Sequence, residues 1–262
     1  MPARLRPRGS ARLRRDQCPE VACPTLTSRG AYRWPTSHIP HGVVSTPVTP
    51  FTDDNRLDLD TARRSVDFQI LHGADAIALP MHTGVSIDML AYNFPGKLGV
   101  ALTGESLLEL VDRLENFVGV KDASYSMQSF TEACRLTSAV RPQFAMFTGV
   151  EFLLPSMVVG GAGCFSPCSA IAPRLVRDLY EACRAGEMER AATLQHRMSA
   201  LWHLLRHEYP SSVKAALGIV GRASGGVRLP LLALDPESLA KLRAGLEALG
   251  VLDAEPLGSH DS

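Results

Sequence analysis

The sequence predicts an α/β fold built on a parallel sheet with both faces covered. Three observations point there. From His41 onward, short apolar runs alternate with segments of helical spacing. The strand-like runs are continuously apolar, as in sheets buried on both sides. One such run, residues 117–120, closes on Lys121, at the strand end where barrel enzymes place their reactive groups.

Residues 42–48 are apolar and β-branched, and Thr49-Pro50 stops them. Residues 57–71 have helical spacing, with Leu59, Ala62, Val66, Phe68 and Ile70 on one apolar flank, and His72-Gly73 ends the helix. Residues 76–79 and 89–92 read as short strands. Thr103 or Ser106 caps a helix through Leu114, and Glu105 and Glu109 suit its early turns. Beyond the 117–120 strand, 126–139 is a helix, 144–147 a strand, 151–159 a short helix and 163–166 a strand. The remainder is helical, at about 172–184, 186–207, 211–220 and 236–248.

The chain has 262 residues, with 27 Lys and Arg against 27 Asp and Glu. That balance gives no field to attract nucleic acid or an acidic membrane surface. No apolar run approaches the roughly 18 residues a membrane span requires. A cytoplasmic protein without nucleic-acid or membrane partners is expected. The six cysteines show no paired C-x2-C spacing, so reduced thiols are expected and neither a zinc site nor a disulfide framework. Residues 1–15 hold Arg4, Arg6, Arg8, Arg12, Arg14 and Arg15 with no acid. Residues 1–38 are therefore set apart as a disordered Arg-rich extension, or a start placed too far upstream; a transit peptide is the weaker reading. The expected organisation is a sheet-bearing part over 39–184, C-terminal helices over 185–252 and a disordered tail over 253–262.

The stretch that carries chemistry is Phe117-Val118-Gly119-Val120-Lys121-Asp122-Ala123-Ser124. Alternation puts Phe117, Gly119 and Lys121 on one face and Val118 and Val120 on the other. If the valines meet the covering helices, Lys121 points inward and Gly119 leaves space beneath it. Burial lowers the pKa of an amine, and a neutral amine can attack a ketone to form a Schiff base. The protonated imine then stabilises a carbanion next to it as an enamine. The competing reading of such a lysine is a solvated strand terminus.

Other candidates are weaker. His203 and His207 lie one helical turn apart with Glu208 adjacent, but H-E-x-x-H is absent and a solvated helix face is favoured. Leu201, Trp202, Leu204 and Leu205 read as a packing stripe. Asp53-Asp54-Asn55 is a turn. Gly160-Gly161-Ala162-Gly163 enters a strand and lacks the Gly-Lys-Ser/Thr of a phosphate loop.

Several segments, taken in order, resemble the dihydrodipicolinate synthase and N-acetylneuraminate lyase family of class I aldolases. Residues 42–51 resemble its first strand, and Leu71-His72-Gly73-Ala74-Asp75-Ala76-Ile77 its first helix end and second strand. Tyr92-Asn93-Phe94-Pro95-Gly96 resembles the fifth-strand motif, and Gly119-Val120-Lys121-Asp122-Ala123-Ser124 the Schiff-base motif. Gly161-Ala162-Gly163-Cys164-Phe165-Ser166 with Ala172-Pro173 is similar to the eighth strand and its exit. Residues 210–217 and Leu229-Pro230-Leu231-Leu232 are similar to the C-terminal helical tail.

The resemblance implies a TIM (β/α)8-type barrel with a C-terminal helical extension. It implies a Schiff-base lyase or aldolase acting on pyruvate or a related 2-keto acid, with no cofactor and no metal, and a homo-oligomer. It assigns Lys121 as the nucleophile and Thr83, in Met81-His82-Thr83-Gly84-Val85-Ser86, as the group that binds the keto-acid carboxylate. Phe165 lines the site from the eighth strand and Thr46 from the first.

The sequence also departs from the family. His82 stands in place of a loop threonine of a proton relay; it either carries protons itself or is a polar loop residue without that role. Val85 stands in place of a glutamate. Between Ser86 and Tyr92, about two β/α units, on the order of 60 residues at roughly 30 each, are absent. The expected barrel therefore lacks strands 3 and 4, leaving strands 2 and 5 to meet directly, to stand as open edges, or to pair with another chain. The motif that supplies the catalytic tyrosine is taken to go with the gap, and Tyr92 is assigned to the later strand and given no role. Thr103-Gly104-Glu105-Ser106 imitates the family's loop but reads as a helix cap. Two readings compete with a working enzyme: an impaired or inactive truncated member, and a 2-keto-acid-binding protein without turnover.

Overall fold

The computed structural model describes residues 25–26, 32–33, 42–45, 52, 58–77, 89–115, 117–149, 151–222 and 225–258. It divides into two compact units at 38/39. Of the first, β1 (Thr25–Leu26) and β2 (Tyr32–Arg33) are described, paired antiparallel. The rest of the expected Arg-rich extension lies outside the described residues.

The second unit alternates strand and helix as the apolar runs require. β3 (Gly42–Ser45) leads to α1 (Leu59–Leu71), β4 (Ala76–Ile77), β5 (Met89–Asn93), α2 (Pro95–Leu98) and α3 (Gly104–Arg113). β6 (Phe117–Asp122), α4 (Met127–Val140), β7 (Ala145–Thr148), α5 (Leu153–Val158) and β8 (Gly163–Ser166) follow. Among the described residues α6 (Cys168–Ile171), α7 (Pro173–Ala185), α8 (Met188–Leu205), α9 (Ser211–Ile219), α10 (Pro236–Ala248) and α11 (Val251–Ala254) complete the unit. Helix starts obey local chemistry. The side chains of Asp58, Thr103, Ser126 and Asp235 each accept a backbone N–H three residues on. Thr103-Gly104-Glu105-Ser106 is accordingly a cap.

All five pairings in the main sheet are parallel, in the order β4-β3-β8-β7-β6-β5. β4 and β5 stand at the two ends of that order and are not paired with each other among the described residues. No helix among the described residues is long and apolar enough to cross a membrane.

The sheet's two faces are packed differently. Phe117, Val120, Phe144 and Met146 meet Leu107 and Val111 of α3 and Phe130, Ala133 and Cys134 of α4. On the opposite face Val44, Val118, Ala145 and Phe147 cluster with Leu90, Ala162 and Phe165, and among the described residues no helix residue belongs to this group. Val118 and Val120 are thus on different faces, contrary to the simple alternation. The cause is a register irregularity: Met89 pairs with Phe117 but Leu90 pairs with Gly119, so Val118 is an extra residue in β6. Nor does Gly119 leave space beneath Lys121. A Cβ there would lie 2.5 Å from the Ala145 carbonyl oxygen and 3.2 Å from Leu90 Cδ2. The glycine allows close approach of β7.

The helices beyond residue 185 share their core with the sheet. Val43 and Cys164 of the sheet pack in one cluster with Leu175, Val176 and Leu179 of α7, Met198 and Leu201 of α8, Leu242 and Leu246 of α10, and Val251. Leu205 joins this core, with Trp202 and Leu204 partly buried against it, as the packing stripe requires. In α1 the expected apolar flank fails at Ile70, which is 56% exposed, while Gln69 is 2% exposed. Gln69 is drawn in because its Oε1 accepts a hydrogen bond from Ser45 Oγ at 2.9 Å.

Within the expected tail, residues 253–258 make defined contacts. The Glu255 carboxylate accepts the backbone N–H groups of Arg174 and Leu175, each at 2.9 Å, and so caps α7, whose own preceding residue Ala172 has no side chain to do so. Gly258 N–H donates to the Val220 carbonyl.

Glu255→Ala, which orphans two N–H groups at the start of α7, is expected to cost about 1–3 kcal/mol. A lower urea midpoint at unchanged slope would report it. Gly119→Ala forces a methyl against backbone and is expected to cost about 1–3 kcal/mol in the same titration. An unchanged midpoint would refute the close approach of β6 and β7.

Candidate active site

The C-terminal ends of the parallel strands bring together the groups that can react. Lys121 is the fifth residue of β6 and Tyr92 the fourth of β5, and the two are register partners. Their side chains therefore emerge together. The Lys121 ammonium lies over the Tyr92 ring, 4.1 Å from its centroid. Phe165, near the end of β8, presents its ring to the same nitrogen at 5.4 Å. Phe165 is held edge-on by Phe147 of β7, with centroids 5.3 Å apart. The lysine stem runs along Gly149, where a Cβ would sit 3.0 Å from both Cγ and Cε of Lys121. Glycine at this position lets the chain leaving β7 pass against the lysine.

The residues following Tyr92 and Lys121 point the other way and lock the two strands together. Asn93 Nδ2 donates to Asp122 Oδ2 at 2.6 Å, and Leu102 N–H donates to Asn93 Oδ1 at 3.0 Å. Asp122 Oδ1 accepts from the Ser124 backbone N–H at 3.1 Å and from its hydroxyl at 2.7 Å. Asn93 and Asp122 are buried, so this satisfied network resists relative sliding of the two strands.

Glu151 is the acid of the site, and it is only 4% exposed. Its Oε1 accepts from Ser166 Oγ at 3.3 Å, with Cys168 Sγ at 3.9 Å. Its carbonyl accepts from Gln195 Nε2 of α8 at 2.6 Å. Burial pushes its carboxyl up to about 7, against the opposing pull of the Ser166 hydrogen bond and the Lys121 charge. Burial also lowers the Lys121 amine, partly offset by the Glu151 charge. Tyr125 and Tyr209 feel the same carboxylate. Tyr125 sits at φ +61°, a left-handed conformation rare for a bulky residue, and stacks edge-on against Phe152. Burial raises the Tyr92 phenol, reinforced by Tyr209 and Tyr125, so it stays protonated at neutral pH.

Of the residues expected from sequence, Lys121 and Phe165 are brought together. Thr83, His82 and Thr46 lie outside the described residues. The sequence assigns Tyr92 no role and marks Glu151 only as the start of a short helix. For the first the sequence offers only the family-like segment Tyr92-Asn93-Phe94-Pro95-Gly96, and its register with Lys121 is seen in the structure. For the second the signal is an acid placed just beyond a strand's C-terminal end. His203 and His207 are exposed and meet edge-on, with rings 5.3 Å apart. Among the described residues no three His, Cys, Asp or Glu side chains converge as metal ligands.

A sequence model described as the dihydrodipicolinate synthetase family matches residues 82–249. The chain is 35% identical over 170 residues to a 4-hydroxy-tetrahydrodipicolinate synthase of Archaeoglobus fulgidus, covering 64% of this chain and 57% of that one. It is 34% identical over 170 residues, with the same coverage, to the enzyme so named in Oleidesulfovibrio alaskensis. The chain thus spans less than two thirds of the length of these relatives. In fold it is similar to the dihydrodipicolinate synthase of Thermotoga maritima, with TM-score 0.76 and 21% identity over 82% of this chain and 100% of the other. It is likewise similar to that of Aquifex aeolicus, with TM-score 0.74 and 21% identity over 84% and 99%. With that match over most of its length, and the lysine, tyrosine and phenylalanine gathered at the strand ends, this chain belongs to the dihydrodipicolinate synthetase family.

Proposed function

We propose that the protein is a Schiff-base-forming lyase or aldolase acting on pyruvate or a related 2-keto acid. The observation that carries this reading is the Lys121 amine, lowered by burial and set against the Tyr92 and Phe165 rings at the strand ends. The neutral amine attacks the keto carbon, the carbinolamine loses water, and the resulting iminium draws electrons from the neighbouring carbon. Loss of a proton there gives the enamine, the species that adds to an aldehyde. Tyr92 takes the proton-handling role: its phenol remains protonated and its ring already touches the nucleophile. Phe165 and Phe147 keep water from the imine. By resemblance Thr83 is assigned the carboxylate, His82 stands at a relay position of the same loop, and Thr46 lines the site from the first strand. The name shared by the curated relatives, 4-hydroxy-tetrahydrodipicolinate synthase, is consistent with such chemistry.

The same reading takes the sheet as an eight-stranded barrel lacking its third and fourth strands. Its support is the strand order β4-β3-β8-β7-β6-β5. A cytoplasmic homo-oligomer that needs no cofactor and binds neither nucleic acid nor membrane completes the proposal.

Borohydride added with pyruvate is expected to fix a covalent adduct on Lys121, detected by intact mass and peptide mapping and absent in Lys121→Ala. Folded wild-type protein without an adduct would end this reading. Exchange of pyruvate methyl protons with deuterated solvent, followed by NMR, reads enamine formation without a second substrate. Tyr92→Phe is expected to slow that exchange by about 10²- to 10⁴-fold while still giving the borohydride adduct. Unchanged exchange in Tyr92→Phe would remove the tyrosine from the mechanism.

A further inference from the structure

One buried group close to the amine has no part in the chemistry above. Glu151 leaves β7 two residues after Gly149, the glycine that lies against the Lys121 stem. It is pinned from the other side by Ser166, the neighbour of Phe165, whose ring faces the Lys121 nitrogen. Gln195 of α8 fixes its main chain through the Glu151 carbonyl and uses its own Oε1 to accept from Leu154 N–H at 2.9 Å. An acid placed by three elements, and shielded from water, is held for its charge rather than for solubility.

We propose that Glu151 is a positioning residue that sets the charge on Lys121: ionised, it holds the lysine as ammonium; neutral, it releases the amine for attack. The inference concerns the amine alone and does not depend on the identity of the keto acid, although its use in catalysis rests on the Schiff-base reading.

Among the described residues, the groups facing Glu151 leave Lys121 as its cationic partner in the site. From β6 comes Lys121, from the β6–α4 turn Tyr125, from the segment after α8 Tyr209, and from β8 and α6 Cys164 and Cys168. Burial raises all four neutral acids among these, so they carry no charge near neutrality. The Glu151 carboxyl, by contrast, is pushed up to about 7 and changes charge within the physiological range. As pH rises past that value, Glu151 ionises and draws Lys121 towards the charged form. As pH falls, the carboxyl neutralises and that hold is lost.

Cyanate carbamylates only unprotonated amines and needs no imine, so it reads the lysine directly. The rate at Lys121, followed by peptide mass spectrometry across pH and normalised to the exposed Lys241, is the measurement. In Glu151→Gln the lysine should react several-fold faster than in wild type above pH 7, and the two rates should converge well below it. Ser166→Ala removes a hydrogen bond that holds the carboxyl down, so it should move the wild-type inflection to higher pH. Both variants are checked for native circular dichroism, and Ser166→Ala carries the test if Glu151→Gln does not fold. Profiles that superimpose on wild type in the folded variant overturn the proposal. A normal cyanate profile with no pyruvate adduct would instead overturn the Schiff-base reading and leave the Glu151–Lys121 coupling standing.

Discussion

The pairing of β5 with β6 is the constraint on which the site depends. Phe117 must lie under α3 and α4, and Lys121 must face the opposite side. They are four positions apart, and strict alternation would put both on one face. The extra residue at Val118 shifts the phase by one, so Phe117 and Val120 stay with the helices while Gly119 and Lys121 face inward. Beyond the bulge the register is regular and delivers Tyr92 opposite Lys121. The Asn93–Asp122–Ser124 hydrogen bonds then hold that register where the strands end.

Around the paired side chains the protein sets two opposing effects against each other. Aromatic rings and close backbone desolvate the amine and favour its neutral form, while a buried carboxyl nearby favours the charged one. Neither group is fixed alone. Glu151 is raised by its own burial and restrained by Ser166 and by Lys121 itself. The resulting poise relies on rigid supports, and these come from different layers: Ser166 from the sheet and Gln195 from α8.

That dependence explains why the helices beyond the sheet matter to the strand ends. α8 packs on α7 within the same core as Val43 and Cys164, and α7 is capped by Glu255 from near the C-terminal end of the described chain. A side chain at position 255 thus helps hold the helical layer against which the Glu151 segment rests.

The order of elements is written locally, because apolar runs, caps and glycines act over a few residues. The 163–166 strand and the 236–248 helix agree with the structure residue for residue, and Thr103 and Ser126 cap where a hydroxyl before a helix should. Lys121 was legible too, since a lysine closing an apolar strand within the Schiff-base-like segment stands out locally. Which way β6 faces is set by packing between elements, because a bulge is defined by the partner strand and not by the bulged one. Packing also makes Gly119 give room to β7 rather than to the lysine, and buries Gln69 while leaving Ile70 exposed. The tertiary structure also brings Tyr92 and Glu151 to Lys121 across 29 and 30 residues of chain. Such groups meet through register and packing, and no spacing within a single segment encodes that meeting.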